Sequence, residues 1–499
     1  MGKVVQRTKY NLIFSFLSQV ITIALGLIIP RITMIGYGSE INGLLNSVTQ
    51  FVAYLIVFEA GIQSVANHSL YKTIGEEDRR STNEILSAVD KNYRKIGVIY
   101  LFGLLALSAI YPLFTMSEGL DYITIFVVVL FSGLGNAVSF FFQGKYKILL
   151  IVEGKSYIVT NLTTIVTVLN NLLKIVLLYI GCNVAIVVFS TFIVSLIQTI
   201  YIFVYIRKQY AWINLSEKPN YNALKQSRFA LIHQISGLIF NHTDVFLLTV
   251  FCGLQVVSVY SVYKMLCDHI YSFLRIPLDS CSFALGQMYN TDKKKYERQL
   301  DAIEVLLALL AFSVFTVVLR FIIPFMKLYT RGISDINYID NYLAYLFIAY
   351  ELLNWIRLPM INTINYAGHF KETISQTIIE STINVVVSVV CVFFLGIYGV
   401  LLGTIAALLY RSIDTIIYAN RKLLLRSPIK TLFVYLLNVS LMVVTSAILN
   451  SFDLTINDYW GFIKNGLIFT PIVLFVFLIC NISIFYGRVK VLWEKGSGL

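Results

Sequence analysis

The chain is a nearly unbroken succession of apolar stretches of about 20 residues, joined by short polar connections. A helix needs about 20 mostly apolar residues to cross a bilayer, and fourteen such stretches lie between residues 10 and 486. Only 13% of the 499 residues are charged, against about 25% in a typical soluble domain. So much apolar surface requires the bilayer as its solvent. The sequence therefore predicts an all-α polytopic membrane protein with about fourteen transmembrane helices.

The basic residues give this layout an orientation. We place the helices at residues 10–30, 41–66, 93–115, 121–148, 155–181, 183–206, 225–252, 257–288, 299–325, 339–366, 371–397, 399–420, 428–450 and 460–486. Of the 39 Lys and Arg, 29 fall on one side of this layout, including Lys145 and Lys147, and four fall on the other. Because cytoplasmic loops are enriched in Lys and Arg, both termini are predicted to lie on the cytoplasmic side of the membrane.

An internal repeat divides the chain. Helices one to six and helices seven to twelve are offset by about 215 residues, and GSEINGLLNS from Gly38 loosely matches GLQVVSVYSV from Gly253. Six is an even number, so both halves share one orientation, as in parallel transporter repeats related by a pseudo-two-fold axis along the membrane normal. We therefore predict an N-lobe at 1–210, a C-lobe at 211–425, and helices thirteen and fourteen with a cytoplasmic tail at 426–499.

Several function classes are disfavoured. The net charge of +12 comes from short loops and is a topology signal, so no nucleic-acid partner is predicted. The six cysteines are isolated in apolar runs without a C-x-x-C pair, and neither a phosphate loop nor an H-E-x-x-H zinc motif is present. We expect a transporter rather than an enzyme, with no catalytic residue, metal or cofactor.

Helix eight carries the most informative charges. Lys264, Asp268, Arg275 and Asp279 fall within about 60° of one helix face and form two i,i+4 pairs of opposite charge. Ionisable side chains inside spans usually face a cavity or a partner. The stripe either lines a hydrated path or consists of two neutralised pairs that hold helix eight to its neighbours.

Helix ten shows a related pattern. Glu351, Asn354, Asn362 and Asn365 fall within about 80° of one face, with Arg357 on its edge. Amides at this depth suit the hydroxyl groups of sugars, or they form hydrogen bonds between helices.

Other predicted spans also carry charges, including Lys174 on helix five, Arg320 on helix nine and Glu380 on helix eleven. Arg411 and Asp414 on helix twelve are spaced as a structural i,i+3 pair. His242 and Asp244 on helix seven and Glu59 on helix two, together with Glu351, are candidates for coupling transport to an ion, because a buried histidine near an acid can carry protons.

A series of short motifs resembles a known family. Asn11 opens the first helix, and the remaining motifs, in order, are Pro30-Arg31, YGSEINGLLNS (Tyr37–Ser47), the FEAGI turn (Phe58–Ile62), HSLYK (His68–Lys72), RFAL (Arg228–Leu231) and CGLQVVSVYSVYK (Cys252–Lys264). Their order and the layout of six, six and two helices resemble the Wzx-type polysaccharide flippases of the multidrug/oligosaccharidyl-lipid/polysaccharide exporter (MOP) superfamily. The likeness covers essentially the whole chain.

The resemblance implies a function and a site. Such proteins move an undecaprenyl-diphosphate-linked oligosaccharide repeat unit from the cytoplasmic to the outer leaflet by alternating access, for synthesis of capsule or O-antigen-like surface polysaccharide. The implied partners are this lipid-linked substrate, the bilayer of the bacterial inner membrane, and a polysaccharide polymerase with other pathway proteins. A monomer is expected. The diphosphate and the glycan would be held by Arg31, Lys264, Arg275, Arg357, Arg411, Asn354, Asn362 and Asn365.

Three alternatives stay open. Multidrug exporters of the superfamily typically carry an acid in the first helix, and residues 10–30 contain none. Lipid II flippases feature several arginines in helices one and two, where this chain has Arg31 and, as the main charge of helix two, Glu59. A membrane-bound polymerase or ligase would favour a large outer loop, and the predicted outer loops are short.

Overall fold

The computed structural model describes residues 2–117, 119–224, 227–369, 371–452 and 456–490. Fourteen long helices follow one another in these ranges: α1 Gly2–Tyr37, α2 Ser39–Gly75, α3 Arg79–Ile110, α4 Tyr122–Val152, α5 Ser156–Tyr179, α6 Val184–Gln209, α7 Ser227–Phe251, α8 Leu254–Thr291, α9 Lys293–Tyr329, α10 Asn341–Tyr366, α11 Ile374–Leu395, α12 Ile397–Tyr418, α13 Ile429–Asn450 and α14 Tyr459–Val489. Each corresponds to one predicted span. The predicted fold class is therefore confirmed.

Four helices, α2, α7, α8 and α10, differ from the other ten in the length or composition of their described residues. Among the described residues, ten helices are both long and apolar enough to cross a membrane, and neither α8 nor α10 is one of them. These two carry the charged and amide side chains singled out from the sequence. One local expectation is wrong: α2 stays helical through Phe58–Ile62, so FEAGI is not a turn.

The internal repeat is visible in turn geometry. Gly38 and Gly253 have φ of 88° and 86°, and Gly181 and Gly396 have φ of 80° and 53°. Both pairs are 215 residues apart. Positive φ favours glycine because a Cβ would clash with the backbone. The two halves thus place the same glycine turn before the second and the sixth of their helices.

Helix caps repeat in the same way. Asp78 accepts a hydrogen bond from the Ser81 backbone N–H at the start of α3, and Asp292, 214 residues later, accepts one from Lys295 at the start of α9. A side-chain oxygen at this position satisfies a backbone donor that has no partner inside the helix. Hydrogen bonds from Ser81 also hold the pKa of the Asp78 carboxyl below its usual range.

The helices form two compact units, Met1–Ser261 and Val262–Leu499, so the boundary falls within α8. In the first unit α2 packs on α3 and α7, α1 packs on α5, and α4 packs on α6. In the second unit α12 packs on α10 and α11, while α9 packs on α13 and α14. The lobes at 1–210 and 211–425, with the segment 426–499, remain a prediction.

Short hydroxyl and amide side chains join α2 to α7 and to the first turn of α8. Asn42 Nδ2 donates to Ser258 Oγ at 2.7 Å, and the Ser47 and Thr249 hydroxyls lie 2.6 Å apart. A Cβ added at Gly43 would lie only 1.8 Å from the Leu254 carbonyl oxygen. Only glycine therefore allows the backbones of α2 and α8 to approach so closely here.

The pair formed by Asn438 of α13 and Asn481 of α14 yields a stability prediction. Each side-chain amide donates to the other at 2.9 Å, and both residues are fully buried. Leucine at either position leaves the side-chain oxygen of the other asparagine without its donor, so we expect each single variant to lose about 1–3 kcal/mol. The double leucine variant should recover most of this loss. Unfolding midpoints of the purified proteins in detergent provide the measurement, and additive losses would contradict the prediction.

Candidate functional site

Lys264 of α8 is the centre of a first polar cluster, which joins α8 to α10. Its Nζ lies 3.2 Å from Asp268 Oδ1 and 3.3 Å from the Tyr350 hydroxyl, and 5.0 Å from the centre of the Tyr350 ring. Glu351 is 1% exposed, and its Oε1 has no hydrogen-bond partner among the described residues. The Asp268 side chain, in contrast, is 47% exposed.

The second charged pair of α8 is more open. Arg275 Nε lies 3.0 Å from Asp279 Oδ1, and the two side chains are 43% and 55% exposed. Both i,i+4 pairs expected from the sequence are therefore present. A half-exposed charge on a membrane helix is costly against lipid, which favours water rather than acyl chains beside this face.

A second polar cluster connects α10, α11 and α12. Arg357 Nη1 donates to Glu380 Oε1 at 2.5 Å, and Nη2 donates to Asn354 Oδ1 at 2.7 Å. Arg411 Nε lies 3.5 Å from the other oxygen of Glu380, and Arg411 Nη1 donates to Asp414 at 2.8 Å. Two guanidinium groups thus share one buried carboxylate, and two acids balance two bases. The predicted Arg411–Asp414 pair is present.

An apolar groove adjoins the second cluster. It has a volume of about 540 Å³ and is formed by α10, α12 and α13. Its lining residues are Leu353, Ile356, Leu409, Ser412, Ile413, Ile416, Ile429, Leu432, Phe433, Tyr435, Leu436 and Val439. Leu353 and Ile356 alternate along α10 with Asn354 and Arg357. The same helix therefore presents an apolar face to the groove and a charged face to the cluster.

The residues proposed for ion coupling in the first unit have separate partners. Asp244 is buried and accepts a hydrogen bond from the Tyr260 hydroxyl at 2.7 Å. His242 Nδ1 contacts Gln50 Oε1, and Glu59 accepts from the Tyr93 hydroxyl at 3.2 Å. No group of three or more His, Cys, Asp or Glu in the described part of the chain is placed to hold a metal ion.

The chain was compared with protein families, curated proteins and solved structures. No protein-family profile and no curated protein matches the chain. The lipid II flippase MurJ, in an inward closed conformation, matches with a TM-score of 0.70 and 17% identity, over 97% of this chain and 99% of that chain. An inward-facing multidrug resistance MATE family transporter of the MOP superfamily gives 0.60 and 16%, over 81% and 93%. The Vibrio cholerae MATE transporter VcmN gives 0.54 and 14%, over 86% and 99%.

The chain has the fold of these transporters. At 14–17% identity the likeness is one of fold. It supports the helical architecture expected from the motifs, whereas the superfamily, the Wzx type and the substrate stay with the proposal below.

The site residues predicted from the sequence fall into two groups. Lys264, Asp268 and Glu351 come together, as do Arg357, Arg411 and Asn354. Lys264, Arg275, Arg357 and Arg411 each have a carboxylate within 3.5 Å. Arg31 and Asn362 are half-buried and Asn365 is exposed. The assignment of all these residues to substrate binding stays a prediction.

Two polar features of the structure were not predicted from the sequence. Glu380 is an acid inside the eleventh predicted span, but no spacing within one helix pairs it with arginines of two other helices. Lys147 was counted as a cytoplasmic topology signal. The polar series Ser132, Asn136, Ser139 and Gln143 that precedes Lys147 follows the spacing of one helix face and could have revealed a polar wall. The side chains of His68, Lys72 and Arg228, from the family motifs, lie outside the described residues.

Proposed function

We propose that the chain is a flippase that moves an undecaprenyl-diphosphate-linked oligosaccharide repeat unit from the cytoplasmic to the outer leaflet. The observation that carries this proposal is the amphipathic character of the second unit, in which the apolar groove and the balanced charged cluster share α10 and α12. Neighbouring residues on a helix point about 100° apart. One site can therefore hold a hydrocarbon chain and a charged head group at the same depth.

The apolar groove suits the prenyl chain. Eleven of its twelve lining residues are apolar or aromatic, and the hydroxyl of the twelfth, Ser412, donates to the Leu353 carbonyl at 3.0 Å. None of the described lining residues is charged. An isoprenoid chain lying there would contact mainly apolar side chains, and its diphosphate would lie beside the guanidinium groups of the second cluster.

The second cluster suits the diphosphate through exchange of partners. Arginine binds phosphate in a bidentate manner, and Arg411 is bonded to Asp414, which is half-buried and therefore accessible. Arriving phosphate oxygens would replace Asp414 on Arg411, and Glu380 would keep both guanidinium groups in place. The exposed charged face of α8 would line the hydrated path taken by the sugars. Alternation between the predicted lobes would carry the head group across, driven or accompanied by ion exchange at Asp244, Glu351, His242 or Glu59.

The test is deletion of the gene for this chain in its native bacterium, followed by analysis of the surface glycan and of the lipid-linked intermediates. We expect loss of the surface polymer, with completed undecaprenyl-linked repeat units trapped on the cytoplasmic face. A plasmid copy of the wild type, and of a control carrying Lys95→Gln on an exposed turn of α3, should restore the polymer. Unchanged glycan together with a new sensitivity to cationic drugs would contradict the proposal and favour multidrug export.

A second candidate is flipping of lipid II, the substrate in the name of the matching MurJ structure, which aligns over 97% of this chain. The same deletion separates the two. Trapped lipid II and arrested cell-wall synthesis would assign this activity, whereas trapped repeat units of another polymer would assign the first. A polymerase or other pathway protein as partner remains part of the first proposal.

A further inference from the structure

A second cavity lies within the first unit, between α4, α5 and α6. Its volume is about 260 Å³, below the range of about 300–1,000 Å³ typical of pockets for drug-sized ligands. The residues that line it are Phe131, Ser132, Gly135, Asn136, Ser139, Gln143, Lys147, Asn170, Thr191, Phe192, Ser195 and Gln198. Hydroxyls, amides, one ammonium group and two aromatic rings thus surround a space for a ligand smaller than a typical drug.

Two acceptors in this cavity have no hydrogen-bond partner among the described residues. Gln143 is 4% exposed, and its Nε2 donates to the Thr199 hydroxyl at 3.2 Å, yet no described residue donates to its Oε1. Asn170 Oδ1, on the opposite helix α5, also has no donor in the described part of the chain. Buried polar atoms are almost always hydrogen-bonded. Two unsatisfied oxygens in one polar cavity therefore indicate a ligand that brings donors.

The backbone of α4 is adapted to this cavity. The helix passes through a π turn at Ser139–Gln143, and the first and last residues of that turn both line the cavity. Single π turns inside α-helices frequently occur at functional sites. Ser139, Gln143 and Lys147 follow one another at intervals of four residues and line the same wall.

The cavity carries a positive charge. Its described lining contains no Asp or Glu. No carboxylate of the described residues forms a salt bridge with Lys147, although Lys155 and Lys145 on the same side of the unit each have one. Glu59 of α2 interacts electrostatically with Lys147 from a greater distance, and it already accepts the Tyr93 hydroxyl. An anionic group in the cavity would gain a charge-assisted hydrogen bond.

We infer that this cavity binds a single sugar residue bearing an acidic group, within the glycan of the lipid-linked substrate. Sugar hydroxyls both donate and accept, so they satisfy the oxygens of Gln143 and Asn170 and the hydroxyls of α4 and α6. The rings of Phe131 and Phe192 offer apolar contact to a pyranose, and Lys147 binds its carboxylate. This inference rests on the proposed flippase function and adds a substrate class to it, namely repeat units that contain an acidic sugar.

The experiment is equilibrium dialysis of the purified full-length chain in detergent against radiolabelled glucuronate and glucose. We expect glucuronate to bind about tenfold more tightly than glucose, because a hydrogen bond to a charged group contributes about this factor. Lys147→Gln should abolish the preference, and Lys147→Arg should keep it. Lys174→Gln is the matched control: Lys174 is a lysine of α5 outside the lining, so the preference should be unchanged. Equal binding of both sugars by the wild type, or a preserved preference in Lys147→Gln, would overturn the inference.

A second variant tests the inference if Lys147→Gln does not fold. Gln143→Leu keeps Lys147 and removes the unsatisfied oxygen, so it should weaken binding of both sugars while the preference for glucuronate stays. If Lys147→Gln does not fold, a variant with Gln143→Leu that binds both sugars like the wild type overturns the inference. Failure here is distinct from failure of the flippase proposal. Trapped repeat units after deletion, with no glucuronate binding, would leave the flippase intact and remove only this sugar site.

Discussion

Replacing Glu380 with glutamine should destabilise the second unit by about 3–5 kcal/mol, the typical cost of breaking a buried ion pair from one side. The carboxylate is 8% exposed and lies within 3.5 Å of both Arg357 and Arg411. Glutamine keeps the volume but removes the negative charge, which leaves two guanidinium groups with Asp414 as their only acid in the cluster. The measurement is the unfolding midpoint of the purified protein in detergent, together with the yield of monodisperse protein.

Glu84→Gln is the matched control for this substitution. Glu84 pairs with Arg80 at 3.4 Å on the surface of α3, where the Arg80 side chain is 82% exposed. Exposed pairs contribute about 0–1 kcal/mol, so this variant should match the wild type. If Glu380→Gln were as stable as Glu84→Gln, the cluster would contribute nothing to the packing of α10, α11 and α12. A double change of Arg357 and Glu380 to methionine should recover stability, because no charge is then left unpaired.

Replacing Gly43 with alanine should have the second large effect. The added Cβ would meet the Leu254 carbonyl oxygen at 1.8 Å, and a backbone atom cannot rotate away as a side chain can. We expect α2 to separate from the start of α8, with loss of the Asn42–Ser258 hydrogen bond and about 3 kcal/mol of stability, the upper end for overpacking. In a strain whose only copy of the gene encodes this variant, the amount of surface glycan should decrease as the stability of the protein decreases.

Gly237→Ala provides the comparison. Gly237 lies in α7, where a Cβ meets nothing within 4 Å, and alanine is a better helix former than glycine by about 1 kcal/mol. This variant should therefore be as stable as the wild type or more so. Equal midpoints for the Gly43 and Gly237 variants would show that the close approach of α2 and α8 is not required for the folded state.

Much of this architecture could be predicted from the sequence, because the bilayer restricts the structures that a spanning segment can adopt. Periodic apolar stretches predict spanning helices, and the repeat at Gly38 and Gly253 predicts two turns that the structure shows with nearly equal φ. Pairs within one helix were also accessible, since i,i+3 and i,i+4 spacing fixes which side chains meet. The pairs Lys264–Asp268 and Arg411–Asp414 are examples.

Contacts between side chains of different helices could not be predicted from the sequence in the same way. Glu380 meets Arg357 and Arg411 because three helices pack with a particular rotation, and no local spacing encodes that rotation. Lys147 lies near the end of a predicted span, where a lysine usually marks the cytoplasmic side. The sequence alone therefore favours that interpretation over a place in the lining of a cavity. The unsatisfied oxygens of Gln143 and Asn170 depend on the packing of α4 against α5 and α6.

The low hydropathy of α8 and α10 has a consequence for biogenesis. A nascent segment leaves the translocon for lipid only if its own transfer free energy is favourable, and central Lys, Arg or Asp residues each oppose this by about 2.5–3.5 kcal/mol. Neither α8 nor α10 belongs to the ten helices that meet the apolar criterion. Their integration should therefore depend on helices synthesised later: α10 can neutralise Arg357 only after Glu380 of α11 has emerged from the ribosome. Nascent chains that stop before α11 should leave α10 outside the bilayer, and their glycosylation or protease pattern should differ from that of the complete chain.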